Sequence, residues 1–198
     1  MDNVKLYECF PTRIYEFKSG LTNHCNNQML RYLTISNHKD HHHMIDDLHV
    51  LSYFKLLRDK VLEVSEYILT SNEYEYERIE ITNMWANKMY DGESHAPHTH
   101  SNNFLSGVYY VQASKETSPI QFFDPRAQSS VLVPRKKLSN WNNSNMIQFD
   151  SVVGMGLIFP SWLQHWVPQN KDNRISISWN IIVRGQYGEP NTLQNANI

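Results

Sequence analysis

The sequence predicts a mainly β fold preceded by helices, an α+β chain whose core is an antiparallel sandwich or barrel. Three observations carry this. After Ser71-Asn72, strand-like runs recur with no helix between them: Arg78–Tyr90, Phe104–Ala113, Ile120–Phe123, Val131–Pro134, Met146–Phe149, Gly156–Phe159 and Arg174–Val183. Turn-rich pieces such as Asp91-Gly92 and residues 139–145 separate them. In the last run, Ile175, Ile177, Trp179 and Ile181 share one face, and Arg174, Ser176, Ser178 and Asn180 share the other.

The elements follow in order. Residues 5–17 show partial alternation and contain Pro11, which reads as an edge strand with an entry turn. Leu21–Thr34 reads as a helix with Leu30 and Leu33 on its buried side. His41-His42-His43 follows in a polar connection with Asp40, Asp46 and Asp47. Consecutive loop residues do not readily converge on one ion, so this run reads as a solvated linker. Over Leu48–Leu69 the apolar positions Leu51, Phe54, Leu57, Val61, Val64 and Ile68 keep three-to-four spacing. That is an amphipathic helix, with Asp46 or Asp47 as its cap. The whole of residues 1–198 is expected to form one domain, a helical buttress at about 20–70 beside a β core at about 78–184.

Composition narrows the function class. The chain is 40% hydrophobic and 12% aromatic, a globular balance. Its formal charge of -2 argues against a broad nucleic-acid surface, although net charge does not reveal a local basic groove. Two cysteines, Cys9 and Cys25, are too few for a disulfide framework and read as reduced thiols. No apolar run reaches the ~18 residues of a membrane span, and the N-terminus lacks the apolar core of a secretory signal. A soluble, cytoplasmic protein with no membrane partner is expected. Exposed strand edges would allow a homodimer.

The chemistry gathers in two stretches. His98 and His100 are spaced so that an extended backbone aims both imidazoles at one point, and His165 lies beside another strand. Two close ligands and a distant third are the layout of a facial metal site with open positions. His95, beyond Pro97, is left as a neighbour lining the mouth or supporting the ligands. On the final strand, Arg174 with Ser176 suits a carboxylate, because the planar guanidinium can hold both oxygens. Tyr110 could donate to the same carboxylate or be a core tyrosine, and Asn87 reads first as structural. Trp162 and Trp166 flank His165 either to exclude water or simply to pack.

These motifs stand in an order that resembles a known superfamily. They are Phe10-Pro11-Thr12, Trp85-Ala86-Asn87, His98-Thr99-His100, Ser106 to Val111, Phe123 to Arg126, Phe159 to His165 and Arg174-Ile175-Ser176. Together they resemble the 2-oxoglutarate- and iron(II)-dependent oxygenases, and more closely a small bacterial and phage subfamily related to the prolyl 4-hydroxylases. The resemblance implies a double-stranded β-helix, or jelly-roll, with iron at its mouth. It implies His98 and His165 as ligands, Arg174 and Ser176 on the distal carboxylate of 2-oxoglutarate, and Tyr110 on that same carboxylate, while Asn87 stays the cofactor-side candidate read from its strand alone. It also implies a bacterial cytoplasm, or a host cytoplasm if phage-encoded. One position departs: where the superfamily motif carries Asp or Glu, this chain has His100. The set His98, His100 and His165 is therefore expected to hold Fe(II), with Asp91 or Glu93 the alternative third ligand. The expected activity is a dioxygenase that uses 2-oxoglutarate and O2 to hydroxylate a C–H bond of a peptidyl or small-molecule substrate. Two rivals are a cupin-like jelly-roll using its metal as a Lewis acid and a structural or binding protein that kept the fold without turnover.

Overall fold

A computed structural model describes residues 4–35 and 47–198. The His41–His43 run and Asp46 lie outside them. The first strand is short: only Tyr15–Lys18 (β1) pairs, at the edge of a sheet, while residues 5–14 form no strand. Helix α1 spans Asn23–Ile35, with the Thr22 Oγ1 accepting the Cys25 N–H at 3.3 Å as an N-terminal cap. Met29 and Leu33 are its buried residues, and Leu30, expected inside, is only partly covered. The side chain of Asn26 clamps this helix to the sheet, donating to the Val111 carbonyl at 3.0 Å and accepting from the Tyr109 hydroxyl at 3.0 Å.

The expected helix over 48–69 begins as two 3-10 turns, Leu48–Val50 and Ser52–Phe54, before α2 runs from Lys55 to Ser71. Leu51 between the turns is extended, at φ -85 and ψ 137. Asp47 does not cap: it sits in left-handed backbone at φ 69 and makes no side-chain bond to the turn. The apolar face nevertheless survives, because Leu51, Phe54, Leu57, Val61, Val64 and Ile68 all join one core.

Nine further strands follow: β2 (Arg78–Met89), β3 (His95–His98), β4 (Leu105–Gln112), β5 (Ile120–Phe123), β6 (Met146–Phe149), β7 (Met155–Pro160), β8 (His165–Val167), β9 (Arg174–Arg184) and β10 (Gln186–Tyr187). Strand β10 pairs with β11 (Ala196–Asn197) near the end of the chain. The main strands form two antiparallel sheets, one of five strands ordered β1-β7-β4-β9-β2 and one of four ordered β3-β8-β5-β6.

The larger sheet has a core on each face. On one face Leu105, Tyr109, Ile158, Ile177, Trp179 and Ile181 pack with Phe17, Met29, Leu33, Phe54, Leu57 and Val61 from β1 and the helices. On the other, Val108, Tyr110, Leu157 and Phe159 meet Ile120 and Phe122 of the smaller sheet. Period-two alternation sorts each strand between these cores. Trp179 is fully buried because β4 offers it a glycine: a Cβ at Gly107 would sit 2.4 Å from its Cζ2 and 2.5 Å from the Leu157 carbonyl.

Between β5 and β6 the chain leaves the sheet as an arm, residues 124–145. It is cinched at its root by the Asp124 N–H donating to the Asn145 carbonyl at 2.8 Å. Val131–Pro134, expected as a strand, lies in this arm and pairs with nothing. Val131 and Leu132 stay exposed, so their β-forming residue types found no partner edge. At the root, Arg126 binds both oxygens of Asp124 at 3.0 and 2.8 Å and holds that carboxyl at a pKa of about 2.

Candidate metal centre and anion pocket

The smaller sheet brings the histidines together. Strands β3 and β8 pair so that His98 stands opposite His165, and His100 follows two residues beyond. The ligating atoms of His98, His100 and His165 all lie within 4.8 Å of one another. The Nε2 atoms of His100 and His165 are 3.3 Å apart. Metal–nitrogen bonds of about 2.1 Å place neighbouring ligands of one ion at roughly this separation, so the donors fit a transition metal.

Backbone carbonyls set two of the rings. His98 Nδ1 donates to the Ala96 carbonyl at 2.8 Å and His165 Nδ1 to the Leu163 carbonyl at 2.9 Å. Each proton is thereby placed on Nδ1, and each Nε2 lone pair faces inward. Burial holds His100 down to about 4, with the His98 ring adding to the effect. Burial also brings His165 to about 3, although its bond to the Leu163 carbonyl pulls the other way. Both rings are therefore neutral, the ligating form, at neutral pH.

The inward face of the larger sheet supplies the other wall. Arg174, only 2% exposed, donates from Nε to Ser151 Oγ and from a terminal nitrogen to Ser176 Oγ, both at 3.2 Å. Its guanidinium lies 5.0 Å from the centre of the Tyr110 ring. Among the described residues no carboxylate comes within ion-pair distance of it. The Tyr110 hydroxyl is buried and, among the described residues, has no hydrogen-bond partner. A buried cation without an anion and a buried hydroxyl without an acceptor are both costly in a folded chain. A bound carboxylate would satisfy the two together.

His98, His100, His165, Arg174, Ser176 and Asn87 line one open cavity. Tyr110 is not among the lining residues; its ring packs against the Arg174 guanidinium, which is. Asn87 donates to Ser178 Oγ at 3.0 Å and is itself buried. His95 also lines the cavity, its ring 4.4 Å from that of His98. Asp91 and Glu93 are outside the cluster; the Glu93 carboxylate accepts the Tyr90 N–H of its own turn at 2.8 Å. Trp162 is exposed, and neither it nor Trp166 lines the cavity. Sequence reasoning missed Ser151 and Trp85. Ser151 carried no signal, but Trp85 lies two residues before Asn87 and shares its strand face.

Residues 83–180 match a family model described as "Putative 2OG-Fe(II) oxygenase", a span that contains every residue lining the cavity. No curated protein sequence matches the chain. Among solved structures, a Pseudomonas putida prolyl-4-hydroxylase is similar at TM-score 0.63 and 10% identity, covering 88% of this chain and 89% of that one. The viral collagen prolyl hydroxylase vCPH from Paramecium Bursaria Chlorella virus-1, in its 2OG complex, is similar at TM-score 0.58 and 9% identity, over 85% of this chain and 94% of that one. HygX from Streptomyces hygroscopicus, with nickel and 2-oxoglutarate bound, is similar at TM-score 0.60 and 9% identity, over 86% and 81%. At such identities these likenesses are of fold. No helix among the described residues is long and apolar enough to cross a membrane.

Proposed function

We propose that this chain, whose residues 83–180 match the 2OG-Fe(II) oxygenase family model, is such an oxygenase and hydroxylates a C–H bond of a peptidyl or small-molecule substrate. 2-Oxoglutarate and O2 are consumed, and succinate and CO2 are released. The observation that carries this reading is that buried Arg174, which has no carboxylate partner among the described residues, lines the same cavity as the three imidazoles.

His98, His100 and His165 would hold iron(II) through nitrogens already turned inward. Three ligands on one face leave the other open to co-substrates. Bound iron, with 2-oxoglutarate, supplies the O2 reduction that is coupled to decarboxylation and substrate hydroxylation. The protein's part is to bind, orient and exclude water. Arg174 would grip both oxygens of the distal carboxylate, helped by Ser176 and Tyr110, while Asn87 flanks the co-substrate from β2. With His100 where a carboxylate is usual, the protein does not offset the charge of the metal, which favours an anionic co-substrate beside it. The two sheets are read as the halves of a double-stranded β-helix, the whole chain acting as one domain in the cytoplasm. Two of the similar structures are prolyl hydroxylases by name, which is the reason for placing a peptidyl side chain first.

The test is anaerobic titration of Fe(II)-loaded protein with 2-oxoglutarate, following the visible charge-transfer band, then O2 and a succinate assay. A band followed by succinate supports the oxygenase. No band despite confirmed iron would leave a cupin-like Lewis-acid site or a fold kept without turnover. Arg174→Ala should weaken 2-oxoglutarate binding by ~100-fold or more, the consequence of unpairing one buried partner. Unchanged affinity would put the anion pocket elsewhere.

A further inference from the structure

Behind the triad runs a chain of four polar side chains. Ser161 is fully buried, Ser106 is 1% exposed and Asn180 5%. Ser106 Oγ donates to Asn180 Oδ1 at 2.7 Å, and Asn180 Nδ2 donates to Asn83 Oδ1 at 2.9 Å. The single proton of Ser106 is thus committed, so in its 2.8 Å contact with Ser161 the latter is the donor. The donor order runs from Ser161 through Ser106 and Asn180 to Asn83, crossing from the turn after β7 through β4 and β9 to β2.

Apolar residues would pack the inside of a sheet at lower cost than such a chain. The turn at its head shows what the cost secures. The Ser161 carbonyl accepts the His100 N–H at 2.9 Å, and the Leu163 carbonyl accepts the His165 Nδ1–H at 2.9 Å. Leu163 N–H closes the turn on the Pro160 carbonyl at 2.9 Å, and Ser161 N–H ties it to the Phe104 carbonyl at 3.1 Å. One turn, Pro160 to Leu163, therefore fixes the backbone of one histidine and the ring of another. His98 is set separately, through Ala96.

We propose that Ser161 is a positioning residue of the metal face. Its hydroxyl, through Ser106, Asn180 and Asn83, locks the Pro160–Leu163 turn so that His100 and His165 present their Nε2 atoms together before any metal arrives. The inference rests on the reading of the triad as a metal site. Supporting groups of this kind hold first ligands within the narrow tolerance that metal binding needs.

Cobalt(II) titration of the metal-free full chain tests it, reading both affinity and the shape of the visible bands. Wild-type protein that binds no cobalt would sink the metal reading itself. Where wild type binds, Ser161→Ala should lose about 10- to 100-fold in affinity and change band shape, since the ligand cage relaxes. Ser106→Ala should move both in the same direction by less, and Ser161→Thr, which restores the hydroxyl, should recover the wild-type bands. Affinity within about 3-fold and an unchanged spectrum in Ser161→Ala would overturn the proposal, given the usual size of such effects. So would a lowered melting temperature with unaltered cobalt binding, which would make the chain a stabilising element alone. If Ser161→Ala does not fold, Ser106→Ala decides by the same two readings.

Discussion

Tyr110→Phe should make the protein more stable and a poorer binder at once. The hydroxyl it removes is buried and unpartnered among the described residues, in a side chain 1% exposed. Leaving such a group unsatisfied costs about 1–3 kcal/mol, so its deletion should return about 1 kcal/mol or more to the metal-free protein. For a chain of this length each such increment raises the melting temperature by about 2–4 °C. The phenyl ring keeps its place under the Arg174 guanidinium, so packing is preserved. Binding moves the other way. A hydrogen bond to a carboxylate contributes about 1.5–3 kcal/mol, so 2-oxoglutarate affinity should fall by about 10- to 100-fold. Differential scanning fluorimetry of the metal-free protein and anaerobic titration of the Fe(II)-loaded protein read the two effects. A variant that melts lower and binds 2-oxoglutarate as wild type does would show that the hydroxyl serves the fold and not the co-substrate.

Two other outcomes follow from the geometry. The metal-free protein should lose stability as pH falls from about 6.5. Burial lowers the folded-state pKa of His100 to about 4 and of His165 to about 3, so the unfolded chain takes up protons over a range where the folded one does not. His165, the deeper of the two, should account for about 2 kcal/mol by pH 5, above the range in which carboxylates titrate. Urea unfolding in the presence of a chelator reads this, and a flat profile between pH 6.5 and 5 would mean that both rings are solvated. Gly107→Ala should destabilise the fold by roughly 2–3 kcal/mol or prevent folding, because the added methyl meets the Trp179 ring and the Leu157 backbone at once. A variant within about 0.5 kcal/mol of wild type would mean that the sheet relaxes around the extra atom.

The sequence made some features of this site readable and hid others for physical reasons. The two faces of β9 were visible because alternation is a local property, and the polar one does hold Arg174 and Ser176 inside. His98 and His100 were visible for the same reason, whereas their meeting with His165 depends on the pairing of β3 with β8, which no local pattern encodes. The break at Leu51 was hidden because 3-10 turns repeat every three residues and leave the apolar spacing of a helix intact. Val131 to Val133 misled because β-forming side chains specify a strand only where a neighbouring edge is free to pair. Ser106, Ser161 and Asn180 each look ordinary alone, and their joint role appears only once three strands and a turn are side by side.

The clasp between Asp124 and Asn145 bears on how this scaffold can diversify. It joins β5 to β6 at the root, so the sheet experiences a closed loop whatever the arm beyond contains. Each doubling of a flexible loop costs only about 0.6 kcal/mol. Insertions, deletions and wholesale rewriting of residues 124–145 can therefore accumulate with little penalty to β5, whose Phe122 stands directly opposite His165. A segment so cheaply varied, and rooted one strand from the cluster of three histidines, is a place where relatives of this chain can acquire new specificities while their chemistry stays fixed.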